Sequence, residues 1–411
     1  MNILLTNLTY KPHLGGIENS FYYIAKELKS RGHKVVIICG DKTLNDDGRL
    51  PEHEVIDRID VYRFKRYKPS FSTLKMFIDI VDIYKSYKIV KKINKIYDFD
   101  ITILRNVNVG LGTVLALKEI KSFFIVPALS MLQDKKLISE FSGNIIIKYL
   151  KWWYFNNILL NQHNIVHKQL MKLVNYTFVF SNNMKSQIAL FHGDLTKKVK
   201  IIKPGVDKDV FIPNSEKYKL RKEINIPLDS FVFLFTGRIV KVKGIHFALK
   251  ALSKINDKKV LLVIVGEGPE LIRLKKLSKT IKVENKTRFY DFTKKPEQYY
   301  GLSDAFIMSS TYEPFGQTIL EALSSGLPVV GFKPDGINVM TATDEIVEDG
   351  DNGILCDFNV EALSDAMYRM LNTNKNKLNE IARMNRQKVE SQYSWVNFCE
   401  KILFNESDLE I

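Results

Sequence analysis

The feature that most constrains the fold of this chain is a succession of short apolar runs, each followed by a helical pattern. The runs are continuously apolar rather than alternating, which is typical of strands buried on both faces of a parallel sheet. The succession therefore predicts an α/β architecture. The predicted strands are Asn2–Asn7, Lys34–Cys39, Ile101–Arg105, Phe123–Leu129, Thr177–Ser181, Phe231–Thr236, Val260–Val265, Ala305–Met308 and Pro328–Gly331.

The strands fall into two sets, and a length of 411 residues suits two domains better than one. A Pro-Gly turn within residues 202–207 (IKPGVD) marks the predicted junction. We expect one domain over residues 1–205, a second over 206–385 and a terminal segment over 386–411, and the chain is helical in pattern past Glu361.

The composition and the first residues of the chain indicate the cellular compartment. Three widely spaced cysteines, Cys39, Cys356 and Cys399, form neither a disulfide framework nor a zinc pattern, which predicts a reducing cytosol. Residues 1–10 lack a basic lead-in and a small-residue cleavage site, so they predict a strand and not a signal peptide. No apolar run approaches the roughly 18 residues of a membrane span.

The net charge of +15 is unevenly distributed along the chain. Residues 1–205 carry 32 basic and 17 acidic side chains, whereas residues 206–411 carry 29 of each. Two segments of the first half, Leu74–Tyr97 and Ile145–Leu173, also pair lysines with large apolar residues, among them Trp152 to Phe155. Two interpretations remain open: ordinary packing with solvated lysines, or attraction of the first domain to an anionic membrane surface.

Residues 311–330 (TYEPFGQTILEALSSGLPVV) place Glu313 and Glu321 on either side of a predicted helix start. Pro314 sits where a first helical turn tolerates a missing N–H. The backbone N–H groups of Gly316–Thr318 then have no intrahelical partner, and such a helix end attracts anions. Two acids beside an anion site are suited to binding hydroxyls, so the segment predicts a ligand that joins phosphate to sugars.

Two further loops carry groups suited to phosphate. Arg238 and Lys243 follow the predicted strand Phe231–Thr236 by a short loop, where both reach the carboxyl end of the sheet. Arginine offers a planar fork to phosphate oxygens and lysine a point charge. Gly15 and Gly16 follow the first strand and precede a helix beginning near Glu18. Each of these features taken alone also fits an ordinary surface residue or loop.

Four segments in register resemble the motifs of the retaining glycosyltransferases of the GT4 type, or glycosyl transferases group 1. They are residues 15–18 (GGIE), 237–244 (GRIVKVKG), 266–269 (GEGP) and 313–321, which has the E-x7-E spacing. The resemblance covers Met1 to about Trp395. It implies the GT-B fold, in which two Rossmann-like domains face each other across a cleft. It also implies that the last helix, near residues 393–395, crosses back to the first domain.

The resemblance implies a nucleoside-diphosphate sugar, UDP- or GDP-linked, bound by the second domain, and an acceptor bound by the first. Glu313, Arg238 and Lys243 take the catalytic roles: Glu313 positions the donor sugar, and the two cations neutralise the diphosphate without a metal. Glu321 is assigned to the ribose hydroxyls. The further donor contacts are expected at Gly15, Gly16, Gly237, Gly266, Phe315, Gly316, Gln317 and Thr318.

The first domain departs from the family pattern, because the stretch Phe123–Asp134 lacks the histidine that often follows this strand. Ser130 or Gln133 is a candidate replacement, which puts the donor sugar in doubt more than the reaction class. His163, His167 and His192 lie in helical patterns and are interpreted as structural. A rival interpretation is a metal-dependent transferase that uses an Asp-x-Asp pair, at Asp98–Asp100 or Asp207–Asp209, although the first pair precedes a strand and the second lies in the linker.

The resemblance, taken with the site residues, implies a retaining, metal-independent hexosyltransferase of cell-envelope or polysaccharide biosynthesis that needs no cofactor and binds no nucleic acid. The expected acceptor is a lipid-linked saccharide, a lipid or a growing surface polysaccharide, reached from the cytoplasm at the inner face of the membrane. A nucleotide-sugar epimerase and a non-catalytic partner of an active transferase are the alternatives. Intact Arg238, Lys243, Glu313 and Glu321 disfavour the second alternative.

Overall fold

A computed structural model describes residues 1–12, 15–41, 49–66, 75–127, 160–213 and 216–403. Within it the chain forms two compact units. The first takes in Met1–Phe180, Met184–Ile202 and the segment from Trp395 onward, and the second takes in Ser181–Asn183 and Lys203–Ser394. The change of unit at Ile202 lies at the start of the linker that the sequence indicated.

The first unit is built on an eight-stranded sheet in the order β3-β4-β2-β1-β5-β6-β7-β8. All neighbours are parallel except β3 and β4, which form an antiparallel hairpin. The strands are β1 Asn2–Thr6, β2 Lys34–Gly40, β3 His53–Ile56, β4 Ile59–Phe64, β5 Ile101–Leu104, β6 Lys121–Ile125, β7 Tyr176–Val179 and β8 Val199–Ile201. The helices between them are α1 Gly16–Ser30, α2 Lys75–Tyr97, α3 Val107–Ala116, α4 Leu160–Leu173 and α5 Asn182–His192.

Both faces of this sheet are buried, which explains the continuous apolar runs. Ile3 and Leu5 of β1 pack in one core cluster with Phe21 of α1, while Leu4 packs in another with Val90 of α2. Successive side chains of a strand point to opposite faces, so a strand covered on both sides must be apolar at every position. The predicted α/β class is confirmed.

The second unit contains a six-stranded parallel sheet in the order β11-β10-β9-β12-β14-β16, and a separate two-stranded pair β13-β15. Its strands are β9 Phe231–Thr236, β10 Val260–Val265, β11 Thr287–Tyr290, β12 Ala305–Met308, β13 Tyr312–Glu313, β14 Val329–Phe332, β15 Met340–Thr341 and β16 Gly353–Cys356. Its helices are α6 Lys217–Glu223, α7 Ile245–Lys254, α8 Leu271–Thr280, α9 Glu297–Leu302, α10 Gln317–Ser324, α11 Thr343–Ile346, α12 Val360–Leu371 and α13 Lys375–Gln392.

The last described helix, α14 Trp395–Leu403, packs in the core of the first unit. Its Trp395 ring stacks on Tyr23 of α1 with ring centroids 6.1 Å apart, and Arg31 Nη2 lies 2.9 Å from a carboxylate oxygen of Glu400. A C-terminal helix that joins the first unit is therefore present. Because α13 lies wholly within the second unit, the returning segment begins at Trp395 and not at residue 386.

The sequence patterns missed the β3–β4 hairpin and several short strands. In β4, Arg63 interrupts the apolar run, yet its side chain is buried because it pairs with Glu54 of β3. A buried charge is stable in β4 only because Glu54 on the neighbouring strand pairs with it. The order of apolar and polar residues along one strand does not reveal such a partner. Of the strand predicted at Phe123–Leu129, the described part is observed as Lys121–Ile125, and residues 128–129 lie outside the described residues.

The structure describes the two lysine-rich segments of the first half, Leu74–Tyr97 and Ile145–Leu173, to different extents. In α2, Val90, Ile93 and Tyr97 are buried in the core, and the exposed surface carries lysines together with Tyr84 and Ile96. Of Ile145–Leu173, only α4 can be compared, because Trp152 to Phe155 lie outside the described residues. In the part of the chain that the structure describes, no helix is both long enough and apolar enough to cross a membrane.

Candidate functional site

Two of the three predicted catalytic groups of the second unit, Lys243 and Glu313, meet where two loops cross, one after β9 and one after β12. Gly244 adopts a left-handed conformation with φ of 65°, and a Cβ there would lie 1.9 Å from the carbonyl oxygen of Ser309. The Thr311 amide donates to the Val242 carbonyl at 2.8 Å, and the Ser309 hydroxyl donates to the Lys243 carbonyl at 3.0 Å. This close backbone contact requires glycine and brings the two loops together.

The result is a direct ion pair between Lys243 and Glu313, two of the three residues predicted as catalytic. Their side chains are 20% and 17% exposed, so water screens the pair only partly. An ammonium group has three donors, and one of them is directed at Glu313. The others remain available to an anionic ligand. The third predicted residue, Arg238, lies in an exposed position of the same loop, and its guanidinium contacts no partner among the described residues.

The helix start that was predicted to attract an anion is present, with a corrected boundary. Helix α10 begins at Gln317 with Gly316 as its N-cap, so Pro314 precedes the helix instead of forming its first turn. Gly316 has φ of 106°, a conformation that favours glycine. Within the described chain, the amides of Gln317 and Thr318 have no backbone acceptor. Free donors and the positive end of the helix dipole therefore coincide.

Two side chains of this segment have structural roles. The Gln317 side-chain amide donates to the Gly205 carbonyl at 2.9 Å, which ties the helix start to the linker. The Phe315 ring is buried and lies 6.2 Å from the Tyr393 ring. Both residues were predicted to contact the donor; their described contacts are with the protein, so their part in donor binding stays a prediction.

Glu321, one turn into α10, accepts a hydrogen bond from the Tyr300 hydroxyl at 2.7 Å. The same hydroxyl lies 2.6 Å from the Thr236 hydroxyl at the end of β9. Burial raises the pKa of Glu321 to about 7, and the hydrogen bond from Tyr300 opposes that increase. Burial also raises the pKa of Tyr300 well above its usual range, so this phenol is the proton donor to Glu321. The carboxyl is thus held in one orientation and titrates near neutrality.

Sequence reasoning missed Tyr300 and Thr236. Thr236 carried a usable signal, since it is a polar residue at the carboxyl end of a predicted strand. Tyr300 carried none, because a tyrosine in a helical pattern is usually a packing residue. Only the tertiary contact between α9 and α10 identifies it.

The glycines predicted to bind the donor in the loops after β9 and β10 hold those loops against each other. A Cβ on Gly266 would lie 2.0 Å from the Gly237 carbonyl oxygen. The Gly237 amide donates to the Val265 carbonyl at 3.1 Å, and the Gly266 amide donates to the Tyr290 carbonyl at 3.0 Å. Both N–H groups already have acceptors, so their direct contact with a donor stays a prediction.

In the first unit, α1 begins at Gly16, directly after Gly15 as its N-cap. The Glu18 carboxylate folds back over Gly15 and accepts a hydrogen bond from the Thr9 hydroxyl. The helix therefore begins two residues earlier than predicted, with Gly16 as its first residue and Gly15 as its N-cap. Ser130 and Gln133 lie outside the described residues.

The three histidines in helical patterns, and one aspartate of each Asp-x-Asp pair, have protein partners or buried positions. His163 Nε2 lies 3.0 Å from a carboxylate oxygen of Asp79, and His167 stacks on His192 in the core with ring centroids 4.9 Å apart. Asp100 accepts the Asn2 amide, and Asp207 accepts the amides of Asp209 and Val210. Both aspartates thus have local structural roles.

Two family models match the chain. The model described as Glycosyltransferase Family 4 matches residues 14–210, and the model described as Glycosyl transferases group 1 matches residues 216–388.

Several relatives are similar over different extents. An uncharacterized glycosyltransferase of Methanocaldococcus jannaschii, MJ1607, is 26% identical over 98% of this chain and 96% of its own length. The alpha-monoglucosyldiacylglycerol synthase of Acholeplasma laidlawii is 26% identical over 90% of this chain and 88% of its own. The O-antigen biosynthesis glycosyltransferase WclY of Escherichia coli is 35% identical, over 32% of this chain and 37% of its own.

Solved structures share the fold. Sucrose-phosphate synthase from Thermosynechococcus elongatus has a TM-score of 0.77 at 17% identity, over 98% of this chain and 97% of that one. Anabaena HepE in complex with UDP-glucose has a TM-score of 0.74 at 19% identity, over all of both chains. The two-domain α/β GT-B architecture is therefore established for this chain.

Proposed function

Since the chain is a glycosyltransferase of the GT-B fold, we propose that it transfers a sugar, with retention of anomeric configuration and without a metal, from a UDP-linked donor to a glycolipid or saccharide acceptor. The observation that carries this proposal is the convergence of the Lys243–Glu313 ion pair, the free amides at the start of α10 and the Tyr300–Glu321 hydrogen bond in one unit. Cations, amide donors and a carboxylate are the groups that a phosphate, a ribose and a hexose require.

In the proposed reaction the bond between the anomeric carbon and the phosphate oxygen breaks, and both electrons leave with the diphosphate. The acceptor hydroxyl oxygen then bonds to that carbon and its proton is released. Negative charge grows on the diphosphate, so Lys243, Arg238 and the α10 amides stabilise the transition state more than the ground state. Fixed cations in these positions supply what a divalent ion supplies in other transferases.

Glu313 and Glu321 have different proposed tasks. Glu313 orients the Lys243 ammonium and positions the donor sugar, while Glu321 accepts hydrogen bonds from the ribose hydroxyls. Because the pKa of Glu321 is about 7, its ionised form dominates only above neutrality. We therefore expect the ribose contact to strengthen as the pH rises through 7.

The donor and acceptor classes are supported by the proteins to which the chain is similar. The HepE structure contains UDP-glucose, and two of the relatives named above are an O-antigen biosynthesis glycosyltransferase and an alpha-monoglucosyldiacylglycerol synthase. A lipid-linked saccharide, a lipid or a surface polysaccharide is accordingly the acceptor we propose.

We further propose that the first unit binds an anionic membrane surface through α2. Its exposed Lys88, Lys91, Lys92 and Lys95 lie on one helix, next to Tyr84, which is 54% exposed. Lysines near an anionic bilayer contribute about 1 kcal/mol each. This α2 surface is basic and carries the amphipathic ring of Tyr84, which favours binding at the membrane–water interface.

Vesicle sedimentation of the full chain tests this membrane proposal. Replacing the four α2 lysines by glutamine should weaken binding to phosphatidylglycerol vesicles by at least about a hundredfold at low salt. The matched control removes the same charge from four exposed lysines of the second unit, Lys222, Lys258, Lys279 and Lys282. If both variants lost vesicle binding equally, a specific α2 surface would be contradicted, and net charge alone would explain the binding.

Turnover of the purified full chain tests the catalytic proposal. A thermal-shift screen of UDP- and GDP-sugars first identifies the donor, and transfer is then measured with lipid extract as the acceptor. We expect Lys243→Ala and Arg238→Ala each to lower kcat by at least about a hundredfold, the size of effect seen when one transition-state donor is removed. Lys241→Ala, on the same turn, is the matched control and should retain activity.

Activity should also survive chelation of divalent ions. Loss of transfer in chelator, restored by a divalent ion, would favour the Asp-x-Asp interpretation. Conversion of the nucleotide sugar without release of free UDP would favour an epimerase.

A further inference from the structure

A groove on the surface of the second unit is lined by basic side chains of two neighbouring helices. It lies between α7 and α8, has a volume of about 280 Å³, and is bordered by His246, Lys250, Arg273, Lys276, Leu277 and Thr280. Four of these six residues are basic and none is acidic. None of the six belongs to the candidate site described above, so the charge of the groove requires an explanation of its own.

The sequence spacing directs the basic residues to the groove. His246 and Lys250 are four residues apart on α7, and Arg273 and Lys276 are three residues apart on α8. Residues at these separations are neighbours on a helix surface, and like charges there destabilise the helix. The groove therefore gathers positive charge at a cost in stability, which a bound anion would offset.

The protein itself neutralises only part of this charge. A carboxylate oxygen of Glu270 lies 2.7 Å from Arg273 Nη1. The ammonium groups of Lys250 and Lys276 form no hydrogen bond or ion pair with any described residue. The excess is local, because residues 206–411 carry 29 basic and 29 acidic side chains in total. A generally basic composition therefore does not account for the groove.

His246, at the second position of α7, is half-buried and held in place by packing. Its ring centroid lies 4.0 Å from that of Phe247, which in turn contacts the ring of Phe332 in the core. Burial, together with the positive charges of Lys250 and Arg273, lowers the pKa of His246 to about 4. The imidazole is therefore neutral at pH 7, with one N–H donor at the edge of the groove.

These groups match the chemistry of a phosphate ligand. Lysine supplies a point charge, and arginine supplies planar N–H donors for phosphate oxygens. Arg273 donates to Glu270 through Nη1, which leaves its Nη2 and Nε donors to a ligand. His246 lies in the first turn of α7, where the positive end of the helix dipole also attracts an anion. The groove thus offers charge from both helices and directed donors to one anion.

We propose that the groove between α7 and α8 binds a phosphate-bearing anion at a site distinct from that of the donor diphosphate. The groups proposed for the donor, Arg238, Lys243 and the start of α10, are absent from the lining of the groove. The inference therefore does not rest on the transfer reaction proposed above. Two sources share this chemistry, a soluble phosphate compound and the phosphate of an anionic phospholipid headgroup.

Pyrophosphate binding to the full chain tests the site. Histidine is labelled with 15N, the ring resonances of His246 are assigned from the spectrum of His246→Gln, and inorganic pyrophosphate is titrated at constant ionic strength with UDP at saturation. The His246 resonances should shift in a saturable manner. Because the unaltered protein is observed, the result does not depend on how a variant folds. Absence of any shift would overturn the proposal.

Matched charge variants separate the groove from net charge. Lys250→Gln combined with Lys276→Gln should weaken pyrophosphate binding at least about tenfold, since each lysine supplies hydrogen bonds to a charged group. The control combines Lys258→Gln with Lys279→Gln, which are exposed lysines of the same unit outside the groove, and should bind like the wild type. Equal weakening in the two variants would refute a specific site.

Arg238→Ala separates the groove from the proposed donor site. This variant should keep the wild-type response of His246 to pyrophosphate. Loss of that response would place the anion at the donor site and overturn the groove proposal. UDP affinity and sugar transfer are measured on the same samples, so a failed donor site remains distinct from a failed groove.

Vesicle sedimentation identifies the source of the phosphate. The groove variant and the Lys258 and Lys279 control are compared on phosphatidylglycerol vesicles, with phosphatidylcholine vesicles as the zwitterionic reference. Weaker binding of the groove variant than of the control would assign the groove to a lipid headgroup. Equal binding of the two, together with the His246 shift, would assign it to a soluble phosphate compound. Either result retains the phosphate site.

Discussion

Replacing Tyr300 by phenylalanine tests how the carboxyl of Glu321 is held. The change removes one oxygen that joins Glu321, at 2.7 Å, to Thr236, at 2.6 Å, in a fully buried position. A hydrogen bond to a charged group contributes about 1.5–3 kcal/mol and one between neutral groups about 0.5–1.5 kcal/mol. Because the pKa of Glu321 is about 7, Tyr300→Phe should cost the larger amount at pH 8 and the smaller at pH 5.5.

The sign of this pH dependence follows from proton linkage. The folded pKa of Glu321 lies above its ordinary value of 4.5, so the native state binds more protons than the unfolded state between about pH 4.5 and 7. Its contribution to stability is therefore fully present below 4.5 and is lost as the pH rises through 7. Removing the Tyr300 hydroxyl raises the folded pKa further, which extends that loss to higher pH.

Urea unfolding is monitored by hydrogen-exchange mass spectrometry. Peptides that cover residues 231–236 and 317–324 report the free energy of unfolding of the second unit. The variants are Tyr300→Phe, Glu321→Gln and the double mutant, each at pH 5.5 and 8. The pH-dependent part of the Tyr300→Phe effect should vanish in the Glu321→Gln background. An equal loss at both pH values, or a pH dependence that survives Glu321→Gln, would refute the account.

Two further expectations follow from the same unit. Glu321→Ala should weaken UDP binding by roughly 1.5–3 kcal/mol, because a ribose hydroxyl loses a charged partner; calorimetric affinities equal to wild type would remove the ribose assignment. Gly244→Ala should lower both stability and turnover, because the added Cβ meets the Ser309 carbonyl at 1.9 Å and separates Lys243 from Glu313. Gly350→Ala is its control: it has φ of 87° with open space around it, so it should cost only the backbone strain of about 1–2 kcal/mol and leave turnover intact.

The sequence was sufficient for the central strands of both sheets. Continuous apolar runs such as Val260–Val265 specify strands buried on both faces, and that strand is observed with the predicted bounds. Edge elements were harder, since β3 is alternately exposed and β4 contains a buried arginine whose partner is on another strand. The pattern of apolar residues along the sequence predicts a buried strand only when every buried residue in that strand is apolar.

The motif order also located the segments of the candidate site, although the helix predicted to start at Pro314 begins at Gln317. Only the tertiary structure shows the contacts between segments that are far apart in the sequence. Lys243 meets Glu313 because two loops cross at Gly244, and Tyr300 meets Glu321 because α9 packs beside α10. Sequence patterns encode local periodicity and turn chemistry, whereas pairing and pKa depend on which distant groups share a buried environment.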